Sequence, residues 1–588
     1  MSSTKAAQSL NIGDNPHSAV LPTIKDAQRI LEELFGYKTF RLEQAAIIKT
    51  LLGGGDALAL MPTGGGKSLC YQILALARSG TGIVISPLIA LMQDQVDALR
   101  ILGIDASFLN SSQSLDEQGD VVSNLRAGQL DLLYIAPERL VQERTLALLD
   151  QVELSIIAID EAHCVSQWGH DFRPEYRQLS VLARRFPSVP RIALTATADT
   201  RTRNEILSEL KLSKARRFVA SFDRPNIRYH ISETSSKSAR ERLWTFIENE
   251  HAMDAGIVYC LSRRSTEDTA EWLSRKGRTA LCYHAGMAPD ERRTVQTRFL
   301  NEDGVIVVAT TAFGMGIDKP DVRFVAHLNL PKTIEAYYQE TGRAGRDGEP
   351  ASAWMAYGFQ DTVKLRHWIA ESDGADTFKK IQHGKLDALI DLAEMASCRR
   401  QALLKYFDEE LAEPCGNCDN CLSPPKTMDA TRLAQIALST VYRTGQRFGV
   451  SYIVDVILGK ANARVSQNGH DTLSVFGMGG ELKAASWRSL LRQLTSAGFL
   501  KSDSEGFGTL SLTQSARPLL RGETTFQMRA PPERASGKSR SQRRGSTGSA
   551  QRSKTAATLS ESDLAVFEAL RELRIKISQK SKVPPFVV

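Results

Sequence analysis

Short apolar runs alternate with amphipathic segments along two stretches of this chain, from Ile24 to about Phe218 and again after Asn226. The first stretch predicts buried strands at Ala57–Met61, Thr81–Ser86, Asp131–Ala136, Leu154–Asp160 and Arg191–Thr195. The second predicts strands at Gly256–Cys260, Thr279–Tyr283, Gly304–Ala309, Val322–Leu328 and Ala351–Tyr357. Alternation of this kind predicts two α/β units, each a parallel sheet covered by helices. Ligands of such sheets gather at the carboxyl ends of the strands.

The pattern changes beyond about residue 360. Residues 361–423 predict helices followed by a cluster of cysteines, and residues 427–529 predict a smaller unit. In that unit Thr431–Arg443 and Trp487–Ala497 have helical spacing, and residues 504–510 are typical of a tight hairpin. Together these segments indicate that the two α/β units are followed by smaller modules.

Composition indicates a water-soluble chain with a basic segment near its end. The chain has 588 residues, of which 42% are hydrophobic and 24% charged, and no apolar run approaches the length of about 18 residues that spans a membrane. The formal net charge is +7, and Arg529–Lys554 contains one acid, Glu533, among many basic residues. This segment is expected to be a flexible linker that either touches phosphates nonspecifically or only solubilises the chain.

The segment from Met61 to Ser68 has the residues that a nucleotide phosphate needs. Gly64, Gly65 and Gly66 allow backbone N–H groups to surround phosphate oxygens, Lys67 brings a positive charge, and the Ser68 hydroxyl is suited to Mg²⁺. A helix that begins near Lys67 would direct its positive end at the same anion. The usual pattern has glycine where Met61 stands, and a plain glycine-rich turn is the alternative.

A second motif follows the predicted strand Leu154–Asp160. Asp160 is predicted to hold Mg²⁺, and Glu161 to polarise the attacking water. A solvated acidic strand end is the alternative for this pair taken alone. Because both motifs close buried strands, together they predict hydrolysis of a nucleoside triphosphate.

The cysteines fall into two groups. Cys70, Cys164, Cys260 and Cys282 stand singly and are expected to be reduced and buried. Cys398, Cys415, Cys418 and Cys421 have the spacing of a closed, structural Zn²⁺ site, with disulfides as the alternative. A reducing cytosol disfavours disulfides.

The motifs together resemble the RecQ family of DNA helicases, within superfamily 2. The resemblance rests on FGYKTFRLEQ, MPTGGGKS, SPLIALMQDQV, DEAH, SQWGHDFRPEY, LTAT, TTAFGMGIDKPDVR and YYQETGRAGRDG, in this order along the chain. It implies an α/β fold of two RecA-like parallel-sheet domains, then a zinc-binding helical subdomain and a winged-helix domain. The expected segments are a disordered tail 1–23, RecA-like domains 24–222 and 223–360, a zinc-binding subdomain 361–425, a winged-helix domain 426–528, a basic linker 529–556 and a partial HRDC-like segment 557–588.

The resemblance also assigns roles to residues of the nucleotide site. Tyr37 is expected to stack on the adenine ring and Gln44 to pair with the adenine edge, with Arg41 adding a charge, so that ATP is selected. Arg346 is the candidate for the arginine that neutralises the γ-phosphate, with Arg343 close behind and Gln339 helping to position it. Packing and surface ion pairs are the alternatives for these residues.

Further residues are expected to contact DNA. His163, Trp168, Phe172 and Arg173 are predicted to couple single-stranded DNA to hydrolysis, because aromatic and basic residues lie there directly after the acidic pair. A loop folded onto its own core is the alternative. The candidates for duplex phosphate contacts in the winged helix are Arg464, Arg488, Arg492 and the loop Gln467–Asp471, although a solvated face explains each of them as well.

The sequence thus predicts an ATP-dependent 3′→5′ DNA helicase that acts in recombination and repair and uses ATP, Mg²⁺ and Zn²⁺. Its expected partners are single-stranded and duplex DNA, a single-strand-binding protein is a candidate partner, and no membrane is expected. The predicted location is cytoplasmic and nucleoid-associated. The alternatives are an RNA helicase, a duplex translocase that never separates strands, and a zinc-stabilised DNA-binding protein without activity.

Overall fold

The computed structural model describes residues 22–110, 113–166, 172–233, 236–313, 319–372, 374–502 and 509–529, together with single positions between 566 and 577. The predicted tail, basic linker and HRDC-like segment therefore lie wholly or mostly outside the described residues. The chain divides into one compact unit of residues 1–196 with 201–220, and a second of residues 197–200 with 221–588. No described helix combines the length and apolar character needed to cross a bilayer.

The first unit is built on a parallel sheet, as the apolar runs predict. Over the described residues its strands are β1 (Ala57–Leu60), β2 (Thr81–Ile85), β3 (Ala106–Leu109), β4 (Leu132–Ile135), β5 (Leu154–Ile159), β6 (Arg191–Thr195) and β7 (Arg216–Val219). Their order across the sheet is β3-β4-β2-β5-β6-β1-β7, and every pairing is parallel. Since β6 lies between β1 and β5, the phosphate-loop motif and the acidic motif leave the same end of the sheet two strands apart.

Helices connect the strands of the first unit. They are α1 (Ile24–Glu33), α2 (Gln44–Leu52), α3 (Lys67–Ala77), α4 (Ile89–Ile101), α5 (Leu115–Arg126), α6 (Pro137–Leu140), α7 (Glu143–Leu149), α8 (Pro174–Gln178), α9 (Val181–Arg185) and α10 (Thr200–Glu209), with a 3-10 turn at Ala162–Val165. The apolar faces of α1, α2 and α3 pack on the central strands and form one core.

A second parallel sheet begins the second unit. Over the described residues its strands are β8 (Ile227–Glu233), β9 (Gly256–Tyr259), β10 (Ala280–Tyr283), β11 (Ile306–Ala309), β12 (Phe324–His327) and β13 (Ala351–Tyr357), in the order β10-β11-β9-β12-β13-β8. Its helices are α11 (Ser236–Glu250), α12 (Arg263–Arg275), α13 (Pro289–Asn301) and α14 (Ile334–Thr341). Apolar clusters cover both faces of this sheet. The predicted pair of parallel-sheet domains is thereby confirmed.

The smaller modules follow in the second unit. Their elements are α15 (Phe359–Glu371), α16 (Asp376–Glu394), α17 (Arg399–Tyr406), α18 (Asp419–Leu422), β14 (Thr427–Asp429), α19 (Thr431–Arg443), α20 (Val450–Ile457), α21 (Ala463–Gln467), a 3-10 turn at His470–Thr472, α22 (Ala484–Ser496), β15 (Leu500–Ser502), β16 (Leu510–Leu512), α23 (Ala516–Leu520) and β17 (Gln527–Arg529). β15 and β16 pair antiparallel where the hairpin was predicted, and residues 503–508 between them lie outside the described residues. The helices of this last module share one core around Trp487.

The hydrophobic pattern missed β3, β7 and β8. All three lie at an edge of their sheets, where one side of the strand has no neighbour and polar side chains are tolerated. β7, for example, has a single buried residue, Phe218.

Candidate functional site

The phosphate loop lies between β1 and α3 in the predicted conformation. The backbone φ angles of Gly64 and Gly66 are 82° and 74°, values that residues other than glycine rarely adopt. A Cβ on Gly66 would lie 2.4 Å from Nε2 of Gln44, and a Cβ on Gly65 would lie 3.0 Å from the carbonyl oxygen of Pro62. α3 begins at Lys67, so the amino end of an 11-residue helix faces the loop. The side-chain-free backbone and the helix end together fit a polyphosphate.

Lys67 and Ser68 both lie half-buried at the start of α3. The Lys67 ammonium donates to the carbonyl oxygens of Met61, at 3.0 Å, and Pro62, at 3.4 Å. The ammonium is thus held over the loop itself, which is the position from which it can reach outer phosphates. Methionine in place of the usual first glycine is fully buried and leaves the loop intact.

The residues predicted to contact adenine differ in their exposure. The Tyr37 ring is 46% exposed, and the Arg41 guanidinium lies 5.6 Å from its centroid, so the ring can still accept a base. Gln44 is 2% exposed. Its Oε1 accepts the Arg41 N–H at 2.8 Å, and its Nε2 donates to the Gly66 carbonyl at 2.9 Å. The Gln44 amide thus connects Arg41 to the phosphate loop, and its pairing with adenine stays a prediction.

The acidic motif is half-buried at the end of β5. Asp160 Oδ1 accepts the backbone N–H of Glu161 at 2.9 Å, and Tyr176 donates its hydroxyl to the Asp160 carbonyl at 2.8 Å. Burial, followed by the charge of Glu161, raises the pKa of Asp160 to about 7, against the opposing charge of Lys67. A divalent cation would relieve both causes of this shift, so the site fits Mg²⁺.

Glu161 is held in an unusual conformation. Its φ is 47°, in the left-handed region that non-glycine residues rarely enter. Its carboxylate lies 3.3 Å from Nδ1 of His163, and the same nitrogen lies 2.9 Å from the hydroxyl of Thr195 on β6. Burial disfavours the charged imidazolium, but Cys164 and Glu161 outweigh it and place the pKa of His163 well above its ordinary value. The sequence did not single out Thr195, although it belongs to the LTAT signature.

The structure describes three of the four residues predicted to couple DNA to hydrolysis. His163 is buried, Phe172 is half-buried, and Trp168 lies outside the described residues. Arg173 donates its guanidinium to the carbonyl of Pro87 and its backbone N–H to the carbonyl of Cys164, both at 2.9 Å. The Arg173 contacts connect the residues after the acidic motif to the SPLIALMQDQV segment.

The predicted arginines lie in the second unit, after α14. Gln339 on α14 is 8% exposed and Arg343 is 5% exposed, whereas Arg346 is half-buried. Arg224 donates to the carbonyls of Gly342, Ala344 and Gly345 at 2.8–3.1 Å, and Asn226 Nδ2 donates to that of Gly345 at 2.8 Å. Residues 342–346, here called the arginine turn, are therefore shaped by Arg224 and Asn226, for which the sequence predicted no role.

The cysteine cluster is brought together as predicted. The ligand atoms of Cys398, Cys415, Cys418 and Cys421 all lie within 4.8 Å of one another. The Cys421 sulfur lies 3.4 Å from that of Cys418 and 3.9 Å from that of Cys415, near the separation of about 3.8 Å that tetrahedral Zn–S bonds of about 2.3 Å impose. All four cysteines are free. The donor set therefore fits Zn²⁺, and the disulfide alternative is not seen.

The winged-helix candidates have different surroundings. Arg492 on α22 donates to both carboxylate oxygens of Glu394 on α16, at 2.5–3.0 Å, and its charge is thus used inside the protein rather than offered to DNA. Arg464 lies over the rings of Tyr452 and Phe448, at 5.4 and 5.8 Å from their centroids. In the predicted loop Gln467–Asp471, His470 is buried against the Tyr452 hydroxyl at 2.7 Å. Arg488 is half-buried.

Family profiles match the chain in four consecutive segments. They are a DEAD/DEAH box helicase over residues 41–206, a helicase conserved C-terminal domain over 238–348, a RecQ zinc-binding domain over 359–422 and an RQC domain over 424–536. The zinc-binding match contains all four clustered cysteines and the helices α15–α18.

Curated relatives match nearly the whole chain. The ATP-dependent DNA helicase RecQ of Haemophilus influenzae is 44% identical over 98% of this chain and 91% of its own length. The protein of the same name from Pasteurella multocida is 44% identical over 97% of this chain and 88% of its own length. That from Bacillus subtilis is 37% identical over 96% of this chain and 91% of its own length.

Proposed function

Because this chain belongs to the RecQ family of ATP-dependent DNA helicases, we propose that it uses ATP hydrolysis to move 3′→5′ along a DNA strand. The observation that carries the proposal is the placement of the phosphate loop and the half-buried Asp160–Glu161 pair at one end of the first sheet. The 3′→5′ direction rests on the family resemblance alone.

The first unit binds ATP in this proposal. The backbone of Gly64–Gly66 and the amino end of α3 hold the phosphates, Lys67 neutralises the outer ones, and Tyr37 with Arg41 packs on the base. Mg²⁺ would be held by Ser68 and Asp160, and when bound it neutralises charge between the outer phosphates. Gln44 acts here through the loop, because its amide fixes Gly66 and Arg41 together.

Glu161 orients and polarises the attacking water. Its contact with His163, and that of His163 with Thr195, restrict where the carboxylate can point. Arg346 and Arg343, positioned with Gln339 in the second unit, supply positive charge as the γ-phosphate leaves.

DNA contacts complete the proposal. Trp168, Phe172 and Arg173 follow the acidic motif directly in sequence, so a bound strand there is close along the chain to Glu161. Arg464 and Arg488 of the winged helix are candidates for duplex phosphates, and Arg492 is omitted because of its contact with Glu394. A single-strand-binding protein as partner and a cytoplasmic, nucleoid-associated location follow from the DNA substrate and belong to the proposal.

Unwinding of tailed duplexes tests the proposal. A duplex with a 3′ single-stranded tail should be separated in the presence of ATP and Mg²⁺, whereas a 5′-tailed duplex of the same sequence should not. Lys67→Ala is the matched control and should abolish both unwinding and DNA-stimulated hydrolysis. Separation of the 5′-tailed duplex alone would overturn the polarity. ATP hydrolysis that duplex DNA stimulates without strand separation would favour a translocase. ATP hydrolysis that RNA stimulates and DNA does not would favour an RNA helicase.

A further inference from the structure

The loop that follows α17 contacts the chain where it enters the second unit. The chain crosses between the two units after residues 196, 200 and 220. Phe407, Asp408 and Glu409, here called the 407–409 loop, bind residues on the second unit's side of two of these crossings. This loop belongs to the zinc-binding segment of residues 359–422.

Glu409 makes the tightest of these contacts. Its Oε1 accepts the hydroxyl of Ser221 at 2.5 Å, and its Oε2 accepts the backbone N–H of Phe222 at 2.7 Å. The preceding residue, Asp408, accepts the hydroxyl of Thr200 at 2.6 Å. Both carboxylate oxygens of one side chain are therefore used to fix the first two residues after the last crossing.

Aromatic packing extends the contact to α14. The ring of Phe222 stacks on that of Phe407 with centroids 4.8 Å apart and an angle of 11°. Tyr338 on α14 lies 4.9 Å from the Phe407 ring and donates its hydroxyl to the Phe222 carbonyl at 2.7 Å. α14 also carries Gln339 and leads directly into the arginine turn.

The residues bound by Glu409, Ser221 and Phe222, are followed directly by the residues that shape the arginine turn. Asp223, the next residue, forms an ion pair with Arg400 on α17 at 2.9 Å. Arg224 and Asn226 follow at once, and they donate to the carbonyls of residues 342–345. One stretch of chain, residues 221–226, is thus held by the zinc-binding segment at its start and holds the arginine turn at its end.

We propose that Glu409 is a positioning residue for ATP hydrolysis and that it fixes the arginine turn through residues 221–226. The proposal rests on the proposed role of Arg343 and Arg346 in hydrolysis. Within the described part of the chain, the Glu409 carboxylate hydrogen-bonds to Ser221 and Phe222 and to none of the predicted nucleotide-binding residues. Its effect should therefore appear in turnover, and not in the affinity for nucleotide, which the first unit determines.

Glu409→Ala tests this, with Glu410→Ala as the matched control. Glu410 is the next residue, is exposed, and loses the same charge. In Glu409→Ala the DNA-stimulated kcat for ATP should fall at least about tenfold, because one hydrogen bond to a charged group is worth about this factor and the variant loses two. Binding of a fluorescent ATP analogue and the zinc content should match those of Glu410→Ala. Glu409→Gln, which keeps one acceptor oxygen, should recover part of the lost turnover.

Ser221→Ala provides a second route if Glu409→Ala does not fold, because it removes the partner hydroxyl and leaves the zinc-binding segment unchanged. It should lower kcat in the same direction, and the double variant should lose less than the product of the two effects, since both break one contact. Equal kcat for Glu409→Ala and Glu410→Ala, in a protein whose wild type is stimulated by DNA, would overturn the inference alone. A wild type that DNA does not stimulate would overturn the proposed function instead.

Discussion

Substitution of Gly66 by alanine tests the geometry of the phosphate loop most directly. The new Cβ would meet Nε2 of Gln44 at 2.4 Å, and the backbone would stay at φ 74°. The left-handed conformation costs about 1–2 kcal/mol for alanine. Gln44 is buried and cannot move without giving up its bonds to Arg41 and Gly66, each worth about 0.5–1.5 kcal/mol.

These terms sum to about 2–5 kcal/mol, which corresponds to a loss of nucleotide affinity of about 30-fold or more if the loop carries the whole cost. Titration of a fluorescent ATP analogue measures the affinity, and thermal unfolding measures any part expressed as global stability. Gly103→Ala is the control: its φ is 80°, but nothing lies within 4 Å of its Cβ, so it should show only the backbone cost and no loss of affinity.

The clash can be separated from the backbone strain with Gln44→Ala. In that background the Cβ at position 66 no longer meets an amide, so the further cost of Gly66→Ala should shrink to the backbone term. Additive effects of Gly66→Ala and Gln44→Ala, or a Gly66→Ala protein that binds nucleotide as tightly as Gly103→Ala, would refute the reasoning.

Three further predictions follow from the sites. Because the pKa of Asp160 is raised to about 7, its carboxyl is mostly neutral below that pH, and Mg²⁺-dependent nucleotide binding should weaken about tenfold from pH 8 to pH 6. Asp160→Asn should bind nucleotide weakly at both pH values, and a wild-type affinity that does not change with pH would contradict the assignment. Removal of Zn²⁺ by a chelator, or Cys415→Ser, should lower the thermal midpoint of the second unit while nucleotide binding persists, and unchanged unfolding would argue against a structural metal. Arg492→Ala removes the cationic partner of Glu394, which keeps only hydroxyl partners, and should destabilise the chain by about 2–4 kcal/mol in denaturant titration. Arg488→Ala on the same helix should have little effect, and equal losses would show that the ion pair is not the cause.

The local motifs could be predicted because their chemistry is local in sequence. Lys67 and Ser68 follow the glycines directly, and Asp160 and Glu161 close one strand, so residue type and spacing alone indicate phosphate chemistry. The four cysteines gather because three of them lie within seven residues and α17 brings the fourth. The buried central strands were predictable for a similar reason, since a strand covered on both faces is apolar throughout.

Contacts between distant segments could not be predicted in this way. The amide of Gln44 binds Gly66, 22 residues away, and Arg492, a candidate for DNA contact, binds Glu394, 98 residues away; spacing along the chain indicates neither contact. The sequence around a polar residue is the same whether its side chain binds a ligand or another part of the chain. Only the packing of the elements decides which partner it meets.

The sequence by itself determined that two parallel-sheet units, a phosphate loop, an acidic pair and a cysteine site are present, because each depends on neighbouring residues or on regular periodicity. The tertiary structure decided that Thr195 meets His163, that Arg224 and Asn226 shape the arginine turn, and that Glu409 grips the chain at Ser221. These contacts join strands, turns and modules that are far apart along the chain, and they exist only because the sheets and helices bring their ends together.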